Sequence, residues 1–171
     1  MIYTITTNPS LDYYLKLKDL KVGSLNRSYE ETYDAAGKGV NVSKFLDKLN
    51  IRSVALGFLG GFNKEFYISL LSDYVNIQPQ FTRIEDNTRI NIKLMAKETT
   101  SLNALGPKIT DDEFNKFKVR MNQIYDNDFV IMSGNVQKDL ADKMCDVIKD
   151  LIDNNVKVIL DTDDYITSEV S

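Results

Sequence analysis

The sequence predicts an α/β fold in which a mostly parallel sheet is flanked by helices and carries a small second sheet. Short apolar runs typical of buried strands alternate along the chain with stretches whose apolar residues recur at helical spacing. Such alternation is typical of parallel sheets that are covered on both faces. Two polar segments with a two-residue alternation interrupt the series, and they predict antiparallel strands outside the main sheet.

Five apolar runs between turn residues predict the strands of the main sheet. Several of these runs are rich in β-branched and aromatic residues, which favour strands over helices. They lie at residues 2–6, 52–58, 79–84, 128–134 and 156–162. Between the first two runs, a stripe of apolar residues three and four positions apart predicts an amphipathic helix. Its members are Val42, Phe45, Leu46 and Leu49.

Two further helices are predicted in the second half of the chain. One begins at a capping box between Thr110 and Glu113. Its apolar stripe consists of Phe114, Phe117, Met121 and Ile124. The other spans residues 138–153 and contains Cys145, whose apolar neighbours at helical spacing predict a buried thiol.

The two interrupting segments predict the small second sheet. Residues 13–33 are polar and partly alternating, and residues 88–102 alternate clearly, with Ile90 and Ile92 on the side opposite Asn91 and Lys93. Such a sheet has one apolar face to cover. We therefore expect it to close on the main domain or to pair with another subunit.

Composition excludes several classes of protein and of site. The net charge of −4 and the lack of a basic block argue against nucleic acid as a partner. Neither a bilayer-spanning apolar run nor a signal peptide is present, so no membrane partner and a cytoplasmic location are expected. Without histidine there is no histidine base or His-ligated metal site, and one cysteine forms no disulfide framework. No metal site is predicted.

Small and polar residues follow four of the predicted strands. In open α/β sheets ligands bind outside the carboxyl ends of the strands. Residues there are often simple turn formers, so each alone is a weak indication. The candidates are Asn8 and Asp12, the glycines of residues 57–61, Ser133 with Gly134 and Asn135, and Asp161 with Thr162.

Gly37, Lys38 and Gly39 open the first predicted helix. A lysine in the first helical turn is unfavourable by about 0.3–1 kcal/mol unless an anion lies there. Glycines allow the backbone to approach such an anion closely, which predicts a phosphate or carboxylate site. The alternative is a glycine-rich turn with a solvated lysine. A Walker A nucleotide loop is excluded because its glycine and Ser/Thr positions are not matched.

A second cationic element stands in "TRINIK". Arg89, Asn91 and Lys93 share one face of a predicted strand. Two cations side by side on an acidic protein suit a dianionic phosphate. The alternative is a solvated outer face of the small sheet.

Several stretches together resemble the PfkB (ribokinase-like) carbohydrate kinases, above all the 1-phosphofructokinase and tagatose-6-phosphate kinase branch. They are "TTNPSLDYYLKL", "AGKGVNVSKFL", "ALGFLGG", "TRINIK", "NDFVIMSGN" and "VILDT", which occur in the family's order from residue 1 to about residue 162. The resemblance is to the N-terminal portion of family members, which run to roughly twice this length.

The resemblance implies a fold, a reaction and partners. The fold is a ribokinase-like α/β domain of which residues 1–171 form the N-terminal part, with a β-sheet lid at about residues 13–33 and 88–105. The reaction is transfer of the ATP γ-phosphoryl group to a sugar phosphate, with Mg²⁺. A homodimer contact through the lid is also implied.

The resemblance also assigns binding residues. Asp12 matches an aspartate that holds sugar hydroxyls, and Gly37, Lys38 and Asn41 match the substrate loop. Arg89 and Lys93 match lid cations near the existing phosphate of the sugar. The remaining matches are Asn103 at the return of the lid, and Ser133 and Asp161 at strand ends.

The chain departs from the family pattern in several turns. Ala36 stands where a second glycine is usual, and "NALGP", "SGNVQKDL" and "DTDDY" replace the usual turn sequences. The family's Gly-Ala-Gly-Asp motif, which supplies the base aspartate, and its Asn-x-x-Glu motif have no match in residues 1–171. The resemblance therefore implies no catalytic residue in this chain, no tightly bound ATP or Mg²⁺, and no turnover by the chain alone.

Three functions follow as hypotheses. The first is the N-terminal portion of an ATP-dependent kinase that converts fructose 1-phosphate to fructose 1,6-bisphosphate. The second is the corresponding portion of a tagatose-6-phosphate kinase. The third is a non-catalytic sugar-phosphate-binding relative, which the altered turns would favour.

Overall fold

The structure is a computed structural model, which describes residues 1–162 and 164–170. The three predicted helices occur in the predicted order among the strands, and two further helices, at residues 64–71 and 164–169, were not predicted. The strands are β1 (Ile2–Thr6), β2 (Ser10–Lys16), β3 (Glu30–Ala36), β4 (Ser53–Gly60), β5 (Ile77–Pro79), β6 (Thr82–Ile84), β7 (Arg89–Met95), β8 (Thr99–Leu102), β9 (Phe129–Ser133) and β10 (Lys157–Asp161). The helices are α1 (Lys38–Lys48), α2 (Lys64–Leu71), α3 (Asp111–Met121), α4 (Lys138–Asp153) and α5 (Asp164–Glu169).

The main sheet is parallel, as predicted. Its strand order is β10-β9-β1-β4-β5, and β6 also pairs with β4. The prediction of a single strand at residues 79–84 is therefore wrong, because two short strands occur here, β5 ending at Pro79 and β6 beginning at Thr82. Pro79 has no N–H to donate to a ladder, and the chain resumes pairing at Thr82.

The small second sheet has the order β3-β2-β7-β8. Its β2–β3 and β7–β8 pairs are antiparallel, but β2 and β7 are parallel, with Asp12 opposite Asn91. The prediction of a purely antiparallel sheet is thus wrong. Each insertion begins with a strand that runs away from the main domain, β2 in the first and β7 in the second. These two strands therefore pair in parallel.

The main core lies between the main sheet and the helices of the second half of the chain. Its largest fully buried side chains include Phe58, Phe117, Met132, Leu140, Met144 and Ile148. Cys145 is buried in this core, as predicted, and burial raises the pKa of its thiol. Residues 138–153 form the predicted helix. Among the described residues, none of the helices is long and apolar enough to cross a membrane.

Helix α1 forms as predicted, but it buries a different face. Phe45 is 62% exposed and Leu49 is 53% exposed. The helix instead packs on the sheet through Gly39, Val40 and Ser43. These small residues allow a close approach, in which the Ser43 hydroxyl lies 2.7 Å from that of Thr4 and 2.9 Å from that of Ser53. The hydroxyl contacts of Ser43 and the close approach of α1 to the sheet therefore decide which face of the helix is buried, and the apolar stripe does not.

Helix α3 begins with the predicted capping box. The Thr110 hydroxyl accepts from the Glu113 N–H, and the buried Glu113 carboxylate accepts from the N–H groups of Thr110 and Glu85 at 2.8 and 2.7 Å. Burial alone would raise the pKa of Glu113, but these backbone donors hold it below its ordinary value. The carboxylate thus ties the helix start to the residue that follows β6.

Replacing Glu113 by glutamine is expected to lower the free energy of unfolding by about 1–2 kcal/mol at pH 7. Glutamine keeps the shape but puts an NH₂ group against a backbone donor. Because the pKa of Glu113 is lowered on folding, its stabilisation is present above the ordinary glutamate value of 4.5 and is lost as the pH falls below it. Urea denaturation at pH 7 and pH 3.5 measures both effects. The neighbouring exposed Asp112→Asn is the control, and a Glu113→Gln difference that persists undiminished at low pH would contradict the assignment.

Candidate functional site

A cavity of about 430 Å³ opens where the carboxyl ends of β1 and β9 meet the start of α1 and the return from the small sheet. Its lining is mostly polar backbone and small polar side chains. The lining residues are Thr6, Thr7, Asn8, Gly37, Lys38, Arg89, Asn103, Ala104, Leu105, Ser133, Gly134 and Asn135. Lys38 and Arg89 are the charged side chains among them. A cavity with two cations in a protein of net charge −4 suits an anion.

The backbone around Gly37 and Gly39 brings the start of α1 against the end of β1. Gly37 has a φ of 150°, and a Cβ there would lie 2.5 Å from Thr6 Cγ2. The Thr6 hydroxyl accepts from the Val40 N–H at 3.0 Å. The first turn of α1 contains no acidic residue, so the positive end of the helix dipole is not offset there.

Lys38 and Ser133 are linked through one carboxylate. The Ser133 hydroxyl donates to Asp161 Oδ2 at 2.6 Å, and Lys38 Nζ lies 3.9 Å from the same oxygen. Both charged side chains are well exposed, so the ion pair adds little stability. The pair shows only that the Lys38 ammonium lies near Asp161, whose carboxylate accepts from Ser133 at the end of β9.

Arg89 is half-buried and bridges two parts of the cavity wall. Its Nη1 donates to the Ala104 carbonyl at 3.2 Å, and its Nη2 donates to the Asn8 carbonyl at 3.0 Å. Burial lowers the pKa of the guanidinium, and the nearby Asp12 opposes this effect. The Arg89 Nε is buried and has no partner among the described residues. An anion that approaches Arg89 therefore meets a fixed guanidinium.

The structure brings together five of the nine predicted binding residues in the cavity lining. These are Gly37, Lys38, Arg89, Asn103 and Ser133. Two others, Asp161 and Lys93, bond to lining residues, whereas Asp12 bonds only to residues outside the lining. Asp161 bonds to Ser133, Lys93 Nζ donates to Asn103 Oδ1 at 2.9 Å, and the buried Asp12 accepts from Asn91 Nδ2 at 2.9 Å and from Ser10 Oγ at 2.7 Å.

Asn41 neither lines the cavity nor has a side-chain bond to a residue that lines it in the described part of the chain. Its side chain is exposed, and its backbone N–H donates to the Gly37 carbonyl within the first turn of α1. The sequence also left Thr6, Asn8 and Leu105 out of the assigned binding residues. Asn8 follows the first predicted strand and is a candidate on that ground alone. Thr6 lies inside the apolar run of that strand, and nothing in its sequence context indicates a binding residue.

A larger groove of about 740 Å³ lies beside α3, but its charges are balanced. Its lining combines Arg83, Lys116 and Arg120 with Glu85, Asp112 and Glu113. The Glu113 carboxylate is already bound to backbone donors. We therefore take the smaller, cationic cavity as the candidate site.

The arrangement defines a class of protein, an α/β protein with a ribokinase-like fold whose candidate site lies at the strand ends beside a small inserted sheet. Phosphofructokinase-2 from Escherichia coli in complex with fructose-6-phosphate superposes with a TM-score of 0.91 at 23% identity, over 98% of this chain and 56% of that one. This likeness establishes the fold.

Sequence comparison then gives the family. The model of the pfkB family carbohydrate kinases matches residues 6–168, and the chain belongs to this family. It is 41% identical over 163 residues to the 1-phosphofructokinase of Borreliella burgdorferi, and 37% identical over 165 residues to that of Bacillus subtilis. These matches cover 95% and 94% of this chain but 53% of each relative. The chain thus spans about half the length of the curated relatives it matches, namely their N-terminal portion.

Proposed function

We propose that this chain is the sugar-phosphate-binding half of an ATP-dependent kinase of the 1-phosphofructokinase type. The observation that carries the proposal is the 430 Å³ cavity, in which Lys38 and Arg89 face polar strand-end residues. A phosphorylated sugar matches this composition, because its phosphate needs cations and its hydroxyls need polar partners. On this view residues 1–171 belong to a single kinase domain, with the small sheet as its lid.

The site residues take two roles in this proposal. Lys38, Arg89 and the start of α1 hold the phosphate that the sugar already carries. Asp12, Asn103 and Ser133 orient the hydroxyls, directly or through the side chains to which they bond, and Lys93 and Asp161 fix Asn103 and Ser133 in place. Asn41 contributes through its backbone bond to Gly37. Binding in this manner positions the acceptor hydroxyl, and positioning is most of what phosphoryl transfer requires.

ATP and Mg²⁺ are the co-substrate and metal of the proposed reaction. The residues that the structure describes contain no group of three or more acidic or cysteine side chains that could hold a metal ion. The Gly37–Gly39 turn does not have the spacing of a Walker A loop. The described residues thus supply neither a metal-binding group of this size nor a Walker A loop. We assign binding of ATP and Mg²⁺ to the part of the relatives that this chain does not cover, and we expect no turnover by the chain alone.

The small sheet provides a surface for a homodimer. One face of this sheet carries a row of residues that lie directly opposite one another on its four strands. These are Tyr33, Tyr13, Ile92 and Leu102. The rings of Tyr13 and Tyr33 stack with centroids 4.4 Å apart, and Leu102 is 55% exposed. We propose that a second copy covers this face. Analytical ultracentrifugation would then show a dimer for the wild type and a monomer for Tyr33→Glu, and equal sedimentation of the two would contradict the contact.

Split assembly tests the kinase function. The chain is coexpressed with the part of the Bacillus subtilis 1-phosphofructokinase that it does not cover, and phosphorylation is assayed with fructose 1-phosphate and tagatose 6-phosphate. Activity on fructose 1-phosphate supports the first hypothesis, and preference for tagatose 6-phosphate supports the second. A purified, folded assembly that binds sugar phosphate but phosphorylates neither substrate would favour the non-catalytic alternative.

In that assembly, Lys38→Ala is expected to raise KM for the sugar phosphate by about 10–100-fold, since it removes a charge-assisted contact of about 1.5–3 kcal/mol. KM for ATP should change by less than about threefold, because Lys38 lies in the sugar-phosphate cavity. Lys48→Ala, on the last turn of the same helix and with the same change in charge, serves as the control. Equal effects of Lys38→Ala on the two KM values would contradict the role.

A further inference from the structure

The segment of residues 103–107, here called the return segment, carries the chain from the small sheet back to the main domain. Residues 103–107 form no helix or strand of their own. Their main chain is held instead by hydrogen bonds to side chains from three parts of the fold. Ala104 N donates to Asn91 Oδ1 (3.2 Å), Arg89 Nη1 to Ala104 O (3.2 Å), Asn8 Nδ2 to Leu105 O (3.1 Å), and Gln137 Nε2 to Pro107 O (2.7 Å).

Asn8 joins the return segment to the end of β1. Its carboxamide donates to Leu105, while its backbone carbonyl accepts from Arg89. Its Oδ1 is buried and packs against Gly106, where an added Cβ would lie 2.3 Å away. Gly106 itself has a φ of 106°, in the region that favours glycine. The Asn8 side chain is therefore fixed by one hydrogen bond and one tight contact with the return segment.

Asn8 positions the backbone of Leu105, because the Leu105 carbonyl accepts its hydrogen bond. Leu105 lines the cavity and is 94% exposed, so its side chain gains little from folding. An exposed apolar side chain at the wall of a polar cavity can cover the carbon skeleton of a ligand. Fixing the backbone of Leu105 before binding reduces part of the ordering cost that the ligand must offset.

We propose that Asn8 is a positioning residue that fixes the backbone of Leu105 at the cavity wall, so that the Leu105 side chain covers the carbon skeleton of a bound phosphorylated sugar and the site prefers the sugar phosphate over inorganic phosphate. The inference rests on the proposed sugar-phosphate site and adds the part of it that recognises the sugar. Arg89 bonds to the backbone carbonyl of Asn8, which any residue retains. The side chain of Asn8 therefore contributes to recognition of the sugar, whereas Lys38 and Arg89 bind the phosphate.

Asn8→Ala tests this division by calorimetric titration of the chain with fructose 1-phosphate and, separately, with inorganic phosphate. The variant is expected to lose about tenfold in affinity for the sugar phosphate, which corresponds to one hydrogen bond of about 1.4 kcal/mol. Its affinity for inorganic phosphate should stay within about twofold. Gly106→Ala, which displaces Asn8, is expected to reproduce the selective loss. Equal weakening of the two ligands, or no change for either, would overturn the inference.

Leu105→Ala keeps the test decisive if Asn8→Ala does not fold, because the exposed Leu105 side chain contributes little to stability. It is expected to reduce the preference for the sugar phosphate severalfold, with an unchanged melting temperature. An unchanged preference would overturn the inference. Failure of the proposed function gives a different result from failure of this inference. If the proposed function is wrong, the wild type itself binds fructose 1-phosphate no more tightly than inorganic phosphate, and the inference is then also wrong.

Discussion

Replacing Gly39 by alanine is expected to lower the free energy of unfolding by about 2–4 kcal/mol. A Cβ on Gly39 would lie 2.5 Å from the Ile5 carbonyl oxygen, 2.9 Å from its carbon and 2.6 Å from Thr6 Oγ1. Two of these atoms are backbone in β1 at the centre of the main sheet, so they cannot move without disturbing it. Urea denaturation measures the change.

The expected sign is opposite to that of helix propensity. Within a helix alanine is favoured over glycine by about 1 kcal/mol, so destabilisation here can arise only from the close approach of α1 to β1. Gly23→Ala is the matched control. Gly23 has a φ of 74° and nothing within 4 Å of an added Cβ, so its substitution costs about 1 kcal/mol of backbone strain. An unfolding midpoint for Gly39→Ala at or above that of the wild type would contradict the packing.

Replacing Arg89 by alanine is expected to weaken binding of fructose 1-phosphate to the chain by about 100-fold or more. The change removes the half-buried cation of the cavity, and charged hydrogen bonds contribute about 1.5–3 kcal/mol each. It also releases the carbonyls of Ala104 and Asn8, so the return segment loses one of its supports. Calorimetric titration measures the affinity, and thermal melting verifies that the variant is folded.

Two further variants separate charge from geometry at this position. Arg83→Ala makes the same change in net charge at an exposed site outside the cavity, so its effect on affinity should be less than about twofold. Arg89→Lys keeps the charge, but one ammonium group cannot reproduce the planar fork that reaches two carbonyls. We expect an intermediate loss. An Arg89→Ala affinity within threefold of the wild type would contradict the assignment of this cation to the phosphate.

Much of the fold could be predicted because it depends on local patterns. The capping box at Thr110, the helix over 138–153 and the parallel strands are all specified by residues close in sequence. The face of α1 could not be predicted in this way. It is decided by the contact of Gly39 and Ser43 with β1 and β4, and the exposed Phe45 shows that tertiary packing overrides the apolar stripe.

The candidate site could be predicted to a similar extent. The rule that ligands bind at strand ends brought Ser133 and Asp161 into one region with the Gly37–Gly39 turn, and the structure places Lys38 and Ser133 in one cavity. Within the return segment the resemblance indicated Asn103, but the placement of residues 104–107 could not be predicted, because it depends on long-range bonds from Asn8 and Gln137 to their main chain. Every residue has a backbone carbonyl, so the sequence does not indicate which carbonyls accept these hydrogen bonds.

Under the proposed function, this chain binds the sugar phosphate of a kinase reaction and not the nucleotide. Isothermal titration of the purified chain with fructose 1-phosphate and, separately, with ATP and Mg²⁺ distinguishes the two ligands. We expect saturable binding of fructose 1-phosphate that is weakened in Arg89→Ala, together with no measurable binding of ATP. Binding of ATP without binding of the sugar phosphate would contradict the proposed function.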